Sequence, residues 1–114
     1  MHEMSLTVSI MDIIFDYARN NHFTKVNTVK LSFGRLSGIE PMALEFAFEV
    51  LSKDTLAQGA KLEYDIAPII ITCLDCEMDS EVEEFPSQCR FCNSQDAVLK
   101  AGTQELRIVE LDVD

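Results

Sequence analysis

At 114 residues with 47% hydrophobic content, the chain is long enough for one packed domain and too apolar for wholesale disorder. Nine Lys+Arg against 20 Asp+Glu leave a formal net charge of −11, a field that repels nucleic acid and anionic membrane and favours cations and basic protein surfaces. No apolar run approaches the ~20 residues of a membrane span, and the opening Met1-His2-Glu3-Met4-Ser5 carries an acid where a secretory signal is basic, so the chain reads as cytoplasmic.

Taken in chain order, Leu6, Ile10, Ile13, Ile14 and Tyr17 recur at helical spacing, predicting an amphipathic helix over 4–20 that Asn20-Asn21 stops. Residues 26–34 alternate, with Val29, Leu31 and Phe33 on one face and Thr28, Lys30 and Ser32 on the other, the pattern of a half-buried strand. Pro41 suits the first position of a second helix running to about residue 53, with Leu44, Ala47, Phe48 and Leu51 buried and Glu45 and Glu49 exposed. Leu62, Tyr64 and Ile66 alternate with Lys61, Glu63 and Asp65 in a second strand. Residues 104–114 form a third, whose apolar phase shifts between Ile108 and Val109 and so predicts a bulge or an edge.

This order predicts an α+β fold, a small three-stranded sheet with two helices on one face. Residues 69–102 then form a zinc-ribbon-like four-cysteine insertion, distinct from an α/β domain made of 1–68 and 103–114. Apolar residues are sparse between Glu77 and Glu84, so the insertion is expected to lack a hydrophobic core of its own and to need a metal for cohesion. Joined by two short segments, it has room to rotate against the sheet.

The cysteines follow the pattern Cys73-x2-Cys76, twelve residues, Cys89-x2-Cys92, and none is left over. Each C-x2-C hairpin can aim two sulfurs at one ion while backbone N–H groups turn towards them, and two hairpins complete the closed tetrahedron of a structural zinc site. Iron in the same thiolate cage satisfies the same pattern. Disulfides require an oxidising compartment, and a thioredoxin-like redox site uses one such hairpin at a helix start. Many zinc ribbons bind nucleic acid, but here Asp75, Glu77, Asp79, Glu81, Glu83 and Glu84 face a single Arg90, and no nucleic-acid binding is expected.

At the N-terminus, the Met1 α-amine, the His2 amide nitrogen and the His2 imidazole can close adjacent chelate rings around one divalent ion. Ni²⁺ and Cu²⁺ suit nitrogen-rich sets of this kind. Any protein beginning Met-His shares that chemistry, and the ordinary reading of His2 alone is a residue at a frayed end. His22, behind the first helix, reads as structural, and Met4 and Met11 as packing. No nucleophile–base arrangement, phosphate loop or carboxylate pair stands out, so the chain is not expected to be an enzyme.

The opening Met1-His2-Glu3-Met4-Ser5-Leu6, the turn Gly34-Arg35-Leu36-Ser37-Gly38-Ile39-Glu40-Pro41, the segment Ala43-Leu44-Glu45-Phe46-Ala47-Phe48-Glu49 and the paired C-x2-C motifs follow one another as in the hydrogenase nickel-insertion chaperones, the HypA/HybF family. The resemblance runs essentially from end to end. It implies a metallochaperone that carries Ni(II) transiently on His2 and holds structural Zn(II) with Cys73, Cys76, Cys89 and Cys92. Glu3 and Glu40 are lesser candidates for nickel, and the more ordinary role of Glu40 is to cap the second helix. The resemblance also implies partners: a GTPase of nickel insertion, the [NiFe]-hydrogenase large subunit and, in some organisms, the urease maturation proteins. The competing reading is a zinc-stabilised protein-interaction adaptor with no nickel role. A zinc hydrolase is disfavoured, because four thiolates leave no open position on the ion.

Overall fold

The computed structural model describes residues 2–114, with His2 by its backbone alone. Helical periodicity near the N-terminus becomes α1 (His2–Asn21), longer at both ends than its apolar repeat. It stops at His22, which takes a left-handed φ of 58° and donates its N–H to the Ala18 carbonyl at 2.8 Å. The buried stripe of α1 is Thr7, Ile10, Met11 and Ile14, while Ile13 and Tyr17, expected inside, lie at its exposed margin. The helix is rotated about its axis towards Thr7, whose hydroxyl is satisfied locally by the Glu3 carbonyl at 2.6 Å and so enters the core at little cost.

β1 (Val26–Gly34) follows the predicted alternation, and α2 (Pro41–Ser52) opens on its proline. The Glu40 carboxylate accepts from the Met42 N–H at 3.4 Å, a capping contact. β2 (Lys61–Ala67) lies parallel to β1, a pairing that needs a crossover, and α2 supplies it. Beyond Pro68 the chain enters a second sheet made of β3 (Ile69–Cys73), β4 (Asp79–Val82) and β5 (Ala97–Ala101). It returns to the first as β6 (Arg107–Val113). The first sheet has the order β2-β1-β6 and the second β4-β3-β5.

Register explains which face of the first sheet is covered. Val29 pairs with Leu62 and Leu111, and Leu31 with Tyr64 and Ile108; these residues pack with Ile10, Met11, Ile14, Leu44 and Phe48 of the helices. On the other face Lys30 sits between Glu63 and Glu110, a polar row suited to water. The expected irregularity in the last strand is a bulge on an edge. Lys30 pairs with Glu110 and Leu31 with Ile108, so Val109 has no opposite residue.

The cysteine segment departs from expectation. It contains three strands and a small core of Ile69, Ile71 and Val82, with Ala97 and Leu99 packed against it. The apolar residues come one or two from each strand, so no single stretch of sequence looks like a core. Only the antiparallel pairing of β3 with both neighbours assembles it.

The molecule measures 54 × 26 × 17 Å and has a radius of gyration of 17.8 Å. A compact domain of this length has a radius of about 13 Å, so the two sheets lie end to end rather than stacked. Where the chain crosses between them, three backbone hydrogen bonds tie the turn after β1 to both crossing segments. Gly34 N–H donates to Gln104 O at 2.9 Å, Arg35 N–H to Ala67 O at 2.9 Å and Leu36 N–H to Gly102 O at 2.7 Å. A Cβ on Gly34 would lie 2.2 Å from the Gly102 carbonyl oxygen, so this approach requires glycine.

Candidate metal centre

β3 delivers Cys73 from the buried centre of the second sheet to its end, where the first C-x2-C hairpin turns. The two hairpins are built alike although their sequences differ. Glu77 N–H donates to Cys73 O and Asn93 N–H to Cys89 O, each at 3.0 Å. Cys73 N–H donates to Met78 O and Cys89 N–H to Ser94 O, each at 2.9 Å. Glu77 and Asn93 take left-handed φ values of 62° and 63°, so each turn closes in the same way.

The result is a four-sulfur cluster. All four sulfurs lie within 4.8 Å of one another, with Cys73 Sγ 3.5 Å from Cys92 Sγ and Cys76 Sγ 3.6 Å from Cys89 Sγ. A disulfide would bring two of them to about 2.0 Å, so all four are free thiols. Thiolates arranged tetrahedrally at the zinc–sulfur distance of about 2.3 Å sit about 3.8 Å apart, close to the spacing here. Both the donor set and the spacing fit structural Zn(II).

The surroundings favour thiolates. Cys76 N–H points at Cys73 Sγ at 3.5 Å and Phe91 N–H at Cys89 Sγ at 3.4 Å. The backbone N–H of Cys76 holds the Cys73 thiol below its ordinary range. The N–H groups of Cys92 and Phe91 pull Cys89 down to about 6. At Cys76 the Met78 N–H favours the thiolate, but burial and the hydrogen bonds with Cys89 and Cys73 outweigh it, and the thiol is raised. At Cys92 the Ser94 N–H acts in the same sense, yet the hydrogen bond with Cys73, burial and the bonds with Cys76 and Cys89 push it up to about 12. Two thiols are thus shifted towards the thiolate and two away from it, a conflict set by burial and by the hydrogen bonds among the sulfurs. A dication among them removes that conflict.

Ser80 was not singled out from sequence. It is buried on β4, donates its hydroxyl towards Cys89 Sγ at 3.9 Å and accepts the Arg90 N–H at 3.2 Å, linking the sheet to the second hairpin. The available signal was the alternation of Ser80 and Val82 with Asp79 and Glu81. Asp79, next to it, is held below the usual carboxylate range by Lys100 and by the Thr72 hydroxyl at 2.7 Å. This pins β4 and β5 to β3.

The lesser nickel candidates Glu3 and Glu40 are separate from this cluster. Glu3 is in the first turn of α1 and Glu40 at the cap of α2. Met1 and the His2 imidazole lie outside the described residues. Among the described residues, the cysteine quartet is the group of potential ligands close enough to share an ion.

Comparison with known proteins places the chain. A family model described as hydrogenase/urease nickel incorporation, metallochaperone, hypA, matches residues 1–113. The class is thus that of the nickel metallochaperones. The hydrogenase maturation factor HypA of Syntrophus aciditrophicus is 54% identical over 114 residues, and that of Aquifex aeolicus 40% over 115, with all of each chain covered. The solution structure of the Ni metallochaperone HypA from Helicobacter pylori is similar in fold, with a TM-score of 0.61 at 20% identity over 97% of this chain and 96% of that one. A second HypA solution structure reaches a TM-score of 0.67 at 23% identity, over 99% and 96% of the two chains. The chain belongs to the HypA family.

Proposed function

We propose that the chain binds one Ni(II) through the Met1 α-amine, the His2 amide nitrogen and the His2 imidazole and releases it to the large subunit of [NiFe]-hydrogenase. It acts in the cytoplasm beside a GTPase, whose phosphate chemistry this sequence has no loop to perform. The urease maturation proteins are further recipients. The chain itself works by binding and transfer rather than catalysis. Residues 1–68 and 103–114 form the nickel-binding domain. Residues 69–102 form the other, where Cys73, Cys76, Cys89 and Cys92 hold Zn(II), which supplies cohesion and no open coordination position.

The observation that carries this reading is the match to the nickel-incorporation family from residue 1 to residue 113, because the proposed nickel ligands are the first two residues. No finding favours the adaptor reading. Among the described residues no helix is long and apolar enough to cross a membrane.

Isothermal titration of nickel into three proteins at matched zinc content tests the site. The native chain should bind one Ni²⁺, and His2→Ala should abolish binding with zinc unchanged. Two residues added before Met1 should weaken binding almost as much, because the amine leaves the chelate. Native binding should also fall in mild acid, as the imidazole near ~6.5 and the amine near ~8 both hold protons that nickel must displace. Undiminished binding by His2→Ala sinks the proposed site.

A further inference from the structure

α2 is apolar almost all round. Of its residues only Glu45, Glu49 and Ser52 are polar, a composition expected of a helix covered on every side. Yet only one side is covered. Leu44 and Phe48 pack with the first sheet and α1, and Ala47 and Ser52 are also buried, while Met42 is 77%, Phe46 67% and Val50 51% exposed. These three follow at i, i+4 and i+8, so they form one continuous stripe pointing away from the core. An exposed apolar stripe of this kind marks an interaction surface.

Charge decides what covers it. Glu45 and Glu49 are exposed along one border of the stripe, where Lys53 and Lys61 line the same groove as these acids but form no ion pair with them, and α2 itself contains no Lys or Arg. Among the described residues neither carboxylate has an ion-pair partner; the ion pairs are Arg19–Asp16, Arg35–Glu83 and Lys100–Asp79. Two acids at i, i+4 repel each other, and a cation across the interface relieves that repulsion. A second copy of the chain would instead set the same acids against one another, between two molecules each carrying −11. An anionic membrane is repelled for the same reason.

We infer that the Met42–Phe46–Val50 stripe of α2 docks an amphipathic helix of another protein whose apolar face is bordered by Lys or Arg. Phe46, central and aromatic, anchors the contact, and Glu45 and Glu49 select the basic border. The stripe and its acidic border include neither of the proposed nickel ligands, Met1 and His2.

The test uses the full-length, zinc-loaded protein and a fluorescent leucine–lysine amphipathic peptide about five turns long. A counterpart with glutamate for lysine is the control. Fluorescence anisotropy should show saturable binding of the lysine peptide and none of the control. Phe46→Ser should weaken binding about tenfold or more with melting temperature and zinc content unchanged, since Phe46 lies outside the core. Glu45→Lys with Glu49→Lys should reverse the preference to the glutamate peptide. Binding that ignores Phe46 is charge attraction elsewhere on an acidic protein and overturns the proposal. So does a native dimer, seen in sedimentation, that Phe46→Ser dissociates, because the stripe would then belong to a second copy.

Discussion

At the scale of single residues, Ser80 carries a role out of proportion to its size. Its hydroxyl orients towards Cys89 Sγ while its oxygen accepts the Arg90 N–H, so one buried side chain fixes both the sulfur and the turn that presents it. Ser80→Ala should leave the fold intact and lower zinc affinity by about 10- to 100-fold, the usual cost of losing a group that orients a ligand. Competition against a chromophoric chelator measures it, and an unchanged affinity would show the contact to be idle. Tyr64 gives a second readout. Burial, and then the nearby Glu45, raise its phenol to about 12, and its hydroxyl donates to the Pro41 carbonyl at 3.3 Å. An unfolded tyrosine ionises near ~10, so the Tyr64 contribution is fully present below that pH and is lost as pH rises towards 12. Ultraviolet titration should show a phenolate step near 12 that Tyr64→Phe removes.

At the scale of elements, the second sheet has a core, but only Ile69, Ile71 and Val82 are buried in it. That is little apolar burial for three strands and two hairpins, so the proposed Zn(II) is expected to supply the remaining folding free energy. Stripping zinc with a chelator, or Cys73→Ala, should therefore speed amide exchange throughout β3, β4 and β5. The interior of β1 should remain protected, since its packing against α1 and α2 involves none of the cysteines. Hydrogen exchange resolved by residue separates the outcomes. Equal loss in β1 would mean that the two sheets fold as one unit. Within the first sheet, Leu31→Ala should cost about 2–5 kcal/mol, because Leu31 is fully buried on the central strand.

At the scale of the whole molecule, the end-to-end sheets meet at a junction that leaves Gly34 no room for a side chain. Gly34→Ala would place a methyl 2.2 Å from a backbone oxygen, and neither chain can yield without breaking one of the three hydrogen bonds there. A loss of roughly 1–3 kcal/mol in denaturant unfolding is expected, with a change in the radius of gyration measured by X-ray scattering. An unaltered radius together with unaltered stability would show that the crossing segments move freely. Net charge also acts at this scale. With −11 on the chain, neither duplex DNA nor single-stranded RNA should bind at physiological salt, and a saturable, salt-sensitive gel shift would contradict this.

Much of this was legible in the residues themselves, because it rests on short-range physics. The period of Leu44, Ala47 and Phe48, the alternation through β1 and the proline opening α2 each depend on neighbours a few positions away. The two C-x2-C hairpins declare the donor set by spacing alone, and the broken phase at Val109 announced its bulge. Other features depended on residues distant in the chain, and only the tertiary structure decided them. The rotation of α1 that exposes Ile13 and Tyr17 is set by what it packs against. The second core draws on Ile69, Val82 and Leu99, which no window of sequence joins. Ser80 becomes a sulfur's neighbour only once β4 pairs with β3. The exposure of Met42, Phe46 and Val50 is the clearest case: periodicity shows that α2 has apolar residues on two sides, but only the packed molecule shows that one side is left uncovered.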